Sequence, residues 1–335
     1  MYLIISLIAF GLLVLGHEFG HFIMARINKV KVEEFSIGMG PRLYTIKGKK
    51  TDYSIKALPI GGSVQMYGET DDIEGEGSFF SLSPLRKISI IIAGPLMNII
   101  MAVVLLFIIV FNTGYTTNQI NEVLDGSPAM EAGIESGDKI LKVNGQKTYT
   151  FEDLSTYIAF NGDKDLSLLV SSDGEKKTIN LRPELDETDR PLIGISPVIV
   201  ESPKLFDSFR ESFNKGRSLI GQTVFSLKIL FSGQASMNDF GGPVTIFKMS
   251  SEVARLSLWA LANFMAFLSI NLAVLNLVPF PALDGGWILI LLVELVRGKK
   301  LPERFVNAWN MFGFVVLMSF MLFITFKDIF FPVSF

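Results

Sequence analysis

Long uncharged runs alternate with charged stretches along this chain. Residues 1–25 hold one formal charge, Glu18, and residues 88–111 hold none. Residues 256–293 are interrupted only by Asp284, and residues 305–326 are free of charge. At about 1.5 Å per helical residue each run can cross a hydrocarbon core of about 30 Å, and the third has length to spare for a break. The pattern predicts four transmembrane segments, at 1–25, 88–112, 256–296 and 305–331. Between the second and third the periodicity changes. From 116 to 185 short apolar strands are separated by turns such as Asn144-Gly145 and Asp173-Gly174, with one helical stretch at 151–160. The expected fold class is an α-helical polytopic membrane protein with an inserted α+β domain.

Composition agrees with a membrane protein that carries a soluble part. Mean hydropathy is +0.43, yet 30 basic and 33 acidic residues remain. The net charge of −3 and the absence of a basic patch away from the membrane ends leave no nucleic-acid partner to expect. With no cysteine, thiolate ligands and disulfides are excluded. Basic residues crowd the loop at 26–87 and recur at Arg297, Lys299, Lys300 and Arg304, so these loops should be cytoplasmic and both termini and the inserted domain extracytoplasmic. The first segment lacks a basic leader and a small-residue cleavage site, so it is expected to stay on the chain.

The two histidines, His17 and His21, are four residues apart around Glu18. On a helix they share one face, so both imidazoles can grip one Zn²⁺ while Glu18 addresses a water as general base. A carboxylate inside a span costs about 2.5–3.5 kcal/mol on insertion scales and is rare without a partner or a wet cavity. Asp284 is therefore paired with the histidines as the third ligand, one zinc per chain, leaving a fourth position open. The alternative is an Asp284 that snorkels from a helix end. Pro279 and Pro281 break the third span, and Gly285 and Gly286 allow close backbone approach, as a cavity at membrane depth requires. An ordinary proline kink is the competing reading.

His17-Glu18-Phe19-Gly20-His21, Gly94-Pro95-Leu96-Met97-Asn98 and the run from Asn276 to Gly286 resemble the signatures of the site-2 proteases, and most closely the bacterial regulator of sigma-E protease branch. The resemblance implies zinc-dependent cleavage of transmembrane helices in a bacterial inner membrane. Its implied substrates are single-span proteins such as anti-sigma factors, or signal-peptide remnants. It also implies that Asn271 and Asn276 help hold the substrate. In the loop at 26–87, residues 35–47 and 51–56 flank a Gly48 turn and read as a β-hairpin. Its first part resembles the family's membrane re-entrant hairpin, whose edge at Ile37, Gly38, Met39 and Gly40 could pair with an unwound substrate. A solvated cytoplasmic hairpin fits the residues as well. The acidic stretch from Glu69 to Gly77 reads as a linker.

The inserted domain at 116–185 resembles a bacterial PDZ domain through the run from Gly126 to Ile134 and Gly137-Asp138-Lys139-Ile140. Such a domain binds a peptide ligand or serves as a passive size filter, and both readings stand. Residues 200–255 are expected to form an amphipathic interfacial helix and a loop, with Phe206, Phe209 and Phe213 at helical intervals. The leading function is an intramembrane zinc metalloprotease in contact with the lipid bilayer. The alternative is a noncatalytic PDZ-bearing membrane scaffold with a relic metal site.

Overall fold

The structure is a computed structural model that describes residues 2–69, 75–233 and 241–331. Residues 70–74, within the acidic stretch read as a linker, lie outside them. Two compact units form, one from residues 1–102 and 229–335, the other from residues 103–228.

The chain opens with α1 (Tyr2–Ile27), then β1 (Val32–Ile46), β2 (Asp52–Met66) and α2 (Pro84–Thr113). The second unit adds β3 (Tyr115–Val123), α3 (Pro128–Glu131), β4 (Lys139–Val143), β5 (Gln146–Lys147), α4 (Phe151–Asn161), β6 (Leu166–Ser172) and β7 (Glu175–Leu181). After them come β8 (Glu184–Leu185), β9 (Pro191–Leu192), β10 (Ile195–Val200) and α5 (Leu205–Phe231). The chain then returns through α6 (Pro243–Leu256), α7 (Leu258–Asn276), α8 (Asp284–Arg297) and α9 (Glu303–Phe330).

Among the described residues four helices are long and apolar enough to cross a membrane: Ile4–Ile27 within α1, α2, α7 and α9. In hydrocarbon only internal hydrogen bonding satisfies the backbone, and a helix supplies it. The third apolar run is not one helix. It stops at Asn276, because Pro279 and Pro281 lack an N–H, and restarts at Asp284. Between them Ala282 adopts φ +67°, and the carbonyls of Val278 and Phe280 lie where side chains on Gly285 and Gly286 would stand.

The loop after α1 is more than a simple hairpin. Around the 47–51 turn, Arg42, Tyr44, Thr45 and Ile46 face Lys56, Ile55, Ser54 and Tyr53. Both strands then bend, so residues Glu34–Ile37 are bordered on one side by Asp52–Ile55 and on the other by Gly62–Gln65. Gly38 and Gly40, at φ +86° and +88°, make the bend in β1. The side chain of Arg42 reaches back across it to grip both oxygens of Glu34 at 2.9 Å.

In the second unit the sheet runs in the order β10-β3-β4-β6-β7. Asn144-Gly145 and Asp173-Gly174 turn with φ positive at both residues, as two-residue hairpins require. Ile140, Leu154, Leu166, Leu168 and Val170 form its buried core, each contributing about 1.5–3 kcal/mol by leaving water. Two boundaries differ from the sequence reading. The sheet continues past residue 185, because β10 pairs with β3 from Ile195 to Val200; Pro197 and the short hairpin before it obscured the strand. The described residues among 200–255 include two helices, α5 and α6, where one helix and a loop were expected. The amide of Thr245 at the start of α6 donates to Asp328 of α9 at 2.9 Å, a cap supplied from a distant helix and invisible to local patterns.

Within the second unit α5 buries small and polar residues and meets the β domain through Ser218, Gln222 and Phe225. Ser208, Ser212, Gly216 and Ser218 are buried, with Gly216 facing Val103 of α2, while Phe206 and Phe209 are exposed. Ser218 donates to the wholly buried Asp153 at 2.6 Å, Gln222 donates to the same oxygen at 3.1 Å, and Phe225 meets Tyr157 edge-on. Burial pushes the Tyr157 hydroxyl up to about 12.

Candidate metal centre

His17, Glu18 and His21 lie in the C-terminal half of α1, and Asp284 is the first residue of α8. The helical i, i+4 spacing puts both imidazoles on one side. His17 Nε2 lies 3.1 Å from His21 Nε2 and 3.1 Å from Asp284 Oδ2, and His21 Nε2 lies 3.7 Å from that oxygen. The three form a group whose donor atoms lie within 4.8 Å of one another. Tetrahedral ligands held about 2.0–2.1 Å from zinc stand ~3.3 Å apart, so the spacing fits such an ion.

Electrostatics points the same way. His21 Nδ1 lies 2.9 Å from the carbonyl of Ile90, which can only accept, so Nδ1 carries the proton and Nε2 keeps its lone pair. Asp284 Oδ2 is buried and no hydrogen bond reaches it. Three potential ligand atoms thus converge on one point. A shared proton relieves one pair of them, whereas a divalent cation relieves all three.

The elements around this point are shaped for it. A side chain on Gly94 of α2 would overlap His21 Nε2 and come within 2.8 Å of His17 Nε2. Pro95 loosens the same stretch of α2. Asn98, also on α2, is wholly buried with its amide nitrogen 3.2 Å from His17 Nδ1. Glu18 is not among the converging atoms. It lies against β2, where a Cβ on Gly62 would come 3.4 Å from its Cγ. A cavity of about 1040 Å³ touches His17, Glu18, His21 and Asp284 and extends past Val64 and Trp287 to Lys300 and Asn307.

The other sequence-derived candidates divide. Asn276, the last residue of α7, places its amide nitrogen 3.5 Å from His17 Nε2. Asn271 donates to Phe267 of its own helix at 2.9 Å and is half-buried. Pro279 and Pro281 lie in the break before Asp284. Ile37, Gly38, Met39 and Gly40 form the bend of β1, where Ile37 and Met39 are exposed. Sequence reasoning gave no role to Gly94 and Asn98, although both belong to a segment it singled out. A lone Asn in an apolar span was the available signal.

The sequence profile of peptidase family M50 matches residues 5–320. A protein of Clostridium perfringens that carries the name of a zinc metalloprotease is 41% identical over 334 residues, covering 99% of this chain and 100% of that one. The chain belongs to peptidase family M50. This is the site-2 protease family, so the protein is a metalloprotease, and its four apolar helices make it a multi-pass membrane protein of bacterial type. Other M50 relatives include a protease of Enterococcus faecalis named Eep, 30% identical with 98% of each chain covered. The regulator of sigma-W protease of Bacillus subtilis is 28% identical, with 96% of this chain and 97% of that one covered. Among solved structures, the PDZ domain of an SdrC-like protein from Listeria monocytogenes is 20% identical, covering 25% of this chain and 90% of that one at a TM-score of 0.23.

Proposed function

We propose that this M50 protease cleaves the transmembrane helices of single-span membrane proteins, with one zinc held by His17, His21 and Asp284 and with Glu18 as general base. The observation that carries the reading is the convergence of His17 Nε2, His21 Nε2 and Asp284 Oδ2, 3.1–3.7 Å apart, from α1 and α8, with no hydrogen bond reaching the aspartate oxygen. When bound, zinc supplies a Lewis acid that polarises a peptide carbonyl and acidifies water. Glu18 stands beside the ligands on the cavity wall, takes a proton from the attacking water and returns it to the departing amine nitrogen. The Ile90 carbonyl fixes the His21 ring, and Gly94 leaves room for both imidazoles.

A substrate helix must unwind before its carbonyl can be reached, since its own hydrogen bonds occupy the backbone. Ile37 already has strand partners on both sides, so the pairing edge for such a segment falls at Gly38, Met39 and Gly40 in the bend of β1, as a re-entrant hairpin beside the site. Asn276, beside His17, and Asn271, one and a half turns earlier, hold the substrate near the break at Pro279 and Pro281. The cytoplasmic loops carry the basic residues, and both termini and a PDZ-like domain face outward, where the domain filters or senses what approaches.

The decisive experiment separates ligand from base. Glu18→Gln should retain about one zinc per chain by metal analysis and lose about 10²–10⁴-fold in turnover on a purified single-span substrate. Parent-level cleavage by that variant would overturn the mechanism.

A further inference from the structure

The two imidazoles rest on different supports. His21 Nδ1 faces a carbonyl, which fixes its proton without ambiguity. His17 Nδ1 faces a side-chain amide, whose donor and acceptor ends exchange places by a half-turn. That amide belongs to Asn98, wholly buried in α2, and the backbone carbonyl of Asn98 accepts the hydroxyl of Ser269 from α7 at 2.9 Å. The residue is therefore held between two spans. Its Oδ1 has no hydrogen-bond partner, although an unmet carbonyl in an apolar interior is costly.

The two settings of the amide correspond to two states of His17. With the NH₂ group toward Nδ1, that nitrogen accepts and the proton moves to Nε2, the atom closest to Asp284 and His21. A protonated Nε2 cannot be a ligand. With Oδ1 toward Nδ1, the ring donates to it and the Nε2 lone pair faces the centre.

We propose that Asn98 is a positioning residue that selects the metal-binding tautomer of His17 by accepting its Nδ1 proton through the side-chain carbonyl. The inference rests on the reading of His17 as a ligand. Asn98 touches neither substrate nor ion and acts only through the ring.

The test is zinc affinity of the full chain in detergent, measured by competition with a chromophoric chelator. The parent is compared with Asn98→Asp, which keeps an acceptor, and with Asn98→Leu, which keeps the volume and removes it. Loss of the acceptor should weaken zinc binding by about 10–100-fold, while Asn98→Asp should stay within about tenfold of the parent. Should Asn98→Leu fail to fold, Asn98→Ser, too short to reach the ring, takes its place. A purely structural role predicts the reverse order, because burying a charged carboxylate between apolar helices costs more than burying a branched apolar side chain. Parent-like affinity in the variants without an acceptor, or weaker binding by Asn98→Asp than by them, would overturn the proposal. His17→Ala separates the two levels. If that variant binds zinc as the parent does, the ligand set is wrong; if it loses zinc while Asn98→Leu does not, only the role of Asn98 falls.

Discussion

Asp153 and Asp284 each place carboxylate oxygen in the interior, one in each unit, and their surroundings are opposites. Asp153 is wholly buried and receives donors from the Tyr149 and Thr150 amides, the Ser218 hydroxyl and the Gln222 amide. Asp284 turns a buried oxygen toward two imidazole nitrogens and receives no hydrogen bond there. A satisfied buried carboxylate ties its neighbours together, whereas an unsatisfied one raises the energy of the fold until a cation arrives. The contrast separates a carboxylate satisfied within the fold from one poised to meet a cation.

The largest effect that can break the comparison is expected at Asp284. Asp284→Ala should reduce zinc to background and lower cleavage at least ~10²-fold, while the metal-free protein melts no lower than the metal-free parent, since one of three opposed acceptors is gone. Metal analysis and thermal unfolding of both metal-free proteins check it. A marked drop in the metal-free melting temperature would mean that Asp284 supports the fold as Asp153 does.

Asp153→Ala should behave in the opposite way. Four donors lose their acceptor, and the contact between α4 and α5 should weaken by about 2–4 kcal/mol. Limited proteolysis of the full chain should cut faster within residues 150–228, with zinc content unchanged. Loss of zinc in that variant would erase the separation between the two clusters.

The smallest effect concerns a third carboxylate, half-buried rather than fully enclosed. The backbone amide of Arg190 and the Thr188 hydroxyl hold Asp186 well below the usual carboxylate range. A depressed folded value means that its contribution is present above the unfolded value, near 3.8, and is lost as the pH falls through the folded one. Hydrogen exchange of the Thr188 and Arg190 amides should accelerate below about pH 4 in the parent. In Asp186→Asn the dependence should be absent, with metal binding and the Asp153 cluster untouched.

Much of this was legible in the residues themselves. Charge-free runs marked the apolar helices because a span leaves little room for charge, and the two-residue turns announced themselves through Asn-Gly and Asp-Gly. His17, Glu18, His21 and Asp284 stood out because polar groups in spans are rare. Other features were hidden for physical reasons. The double bend of β1 and β2 arises from long-range pairing that alternation cannot reveal. The strand containing Pro197 lacks a clean pattern because its partner, β3, lies distant in sequence. In α5 hydropathy marked the phenylalanines, while Ser208, Ser212 and Gly216 form the buried side, since small residues permit close approach. The support that Asn98 gives to His17 needed three-dimensional proximity, as one asparagine has no period.

The proposed ligand set joins two helices far apart in sequence, α1 and α8. A nascent chain still missing α8 possesses two imidazoles and a glutamate but no third ligand, so it cannot close the proposed centre. With that ligand set, order of synthesis delays the hydrolase: the centre stays open until α8 has followed the intervening strands and helices out of the ribosome and met α1.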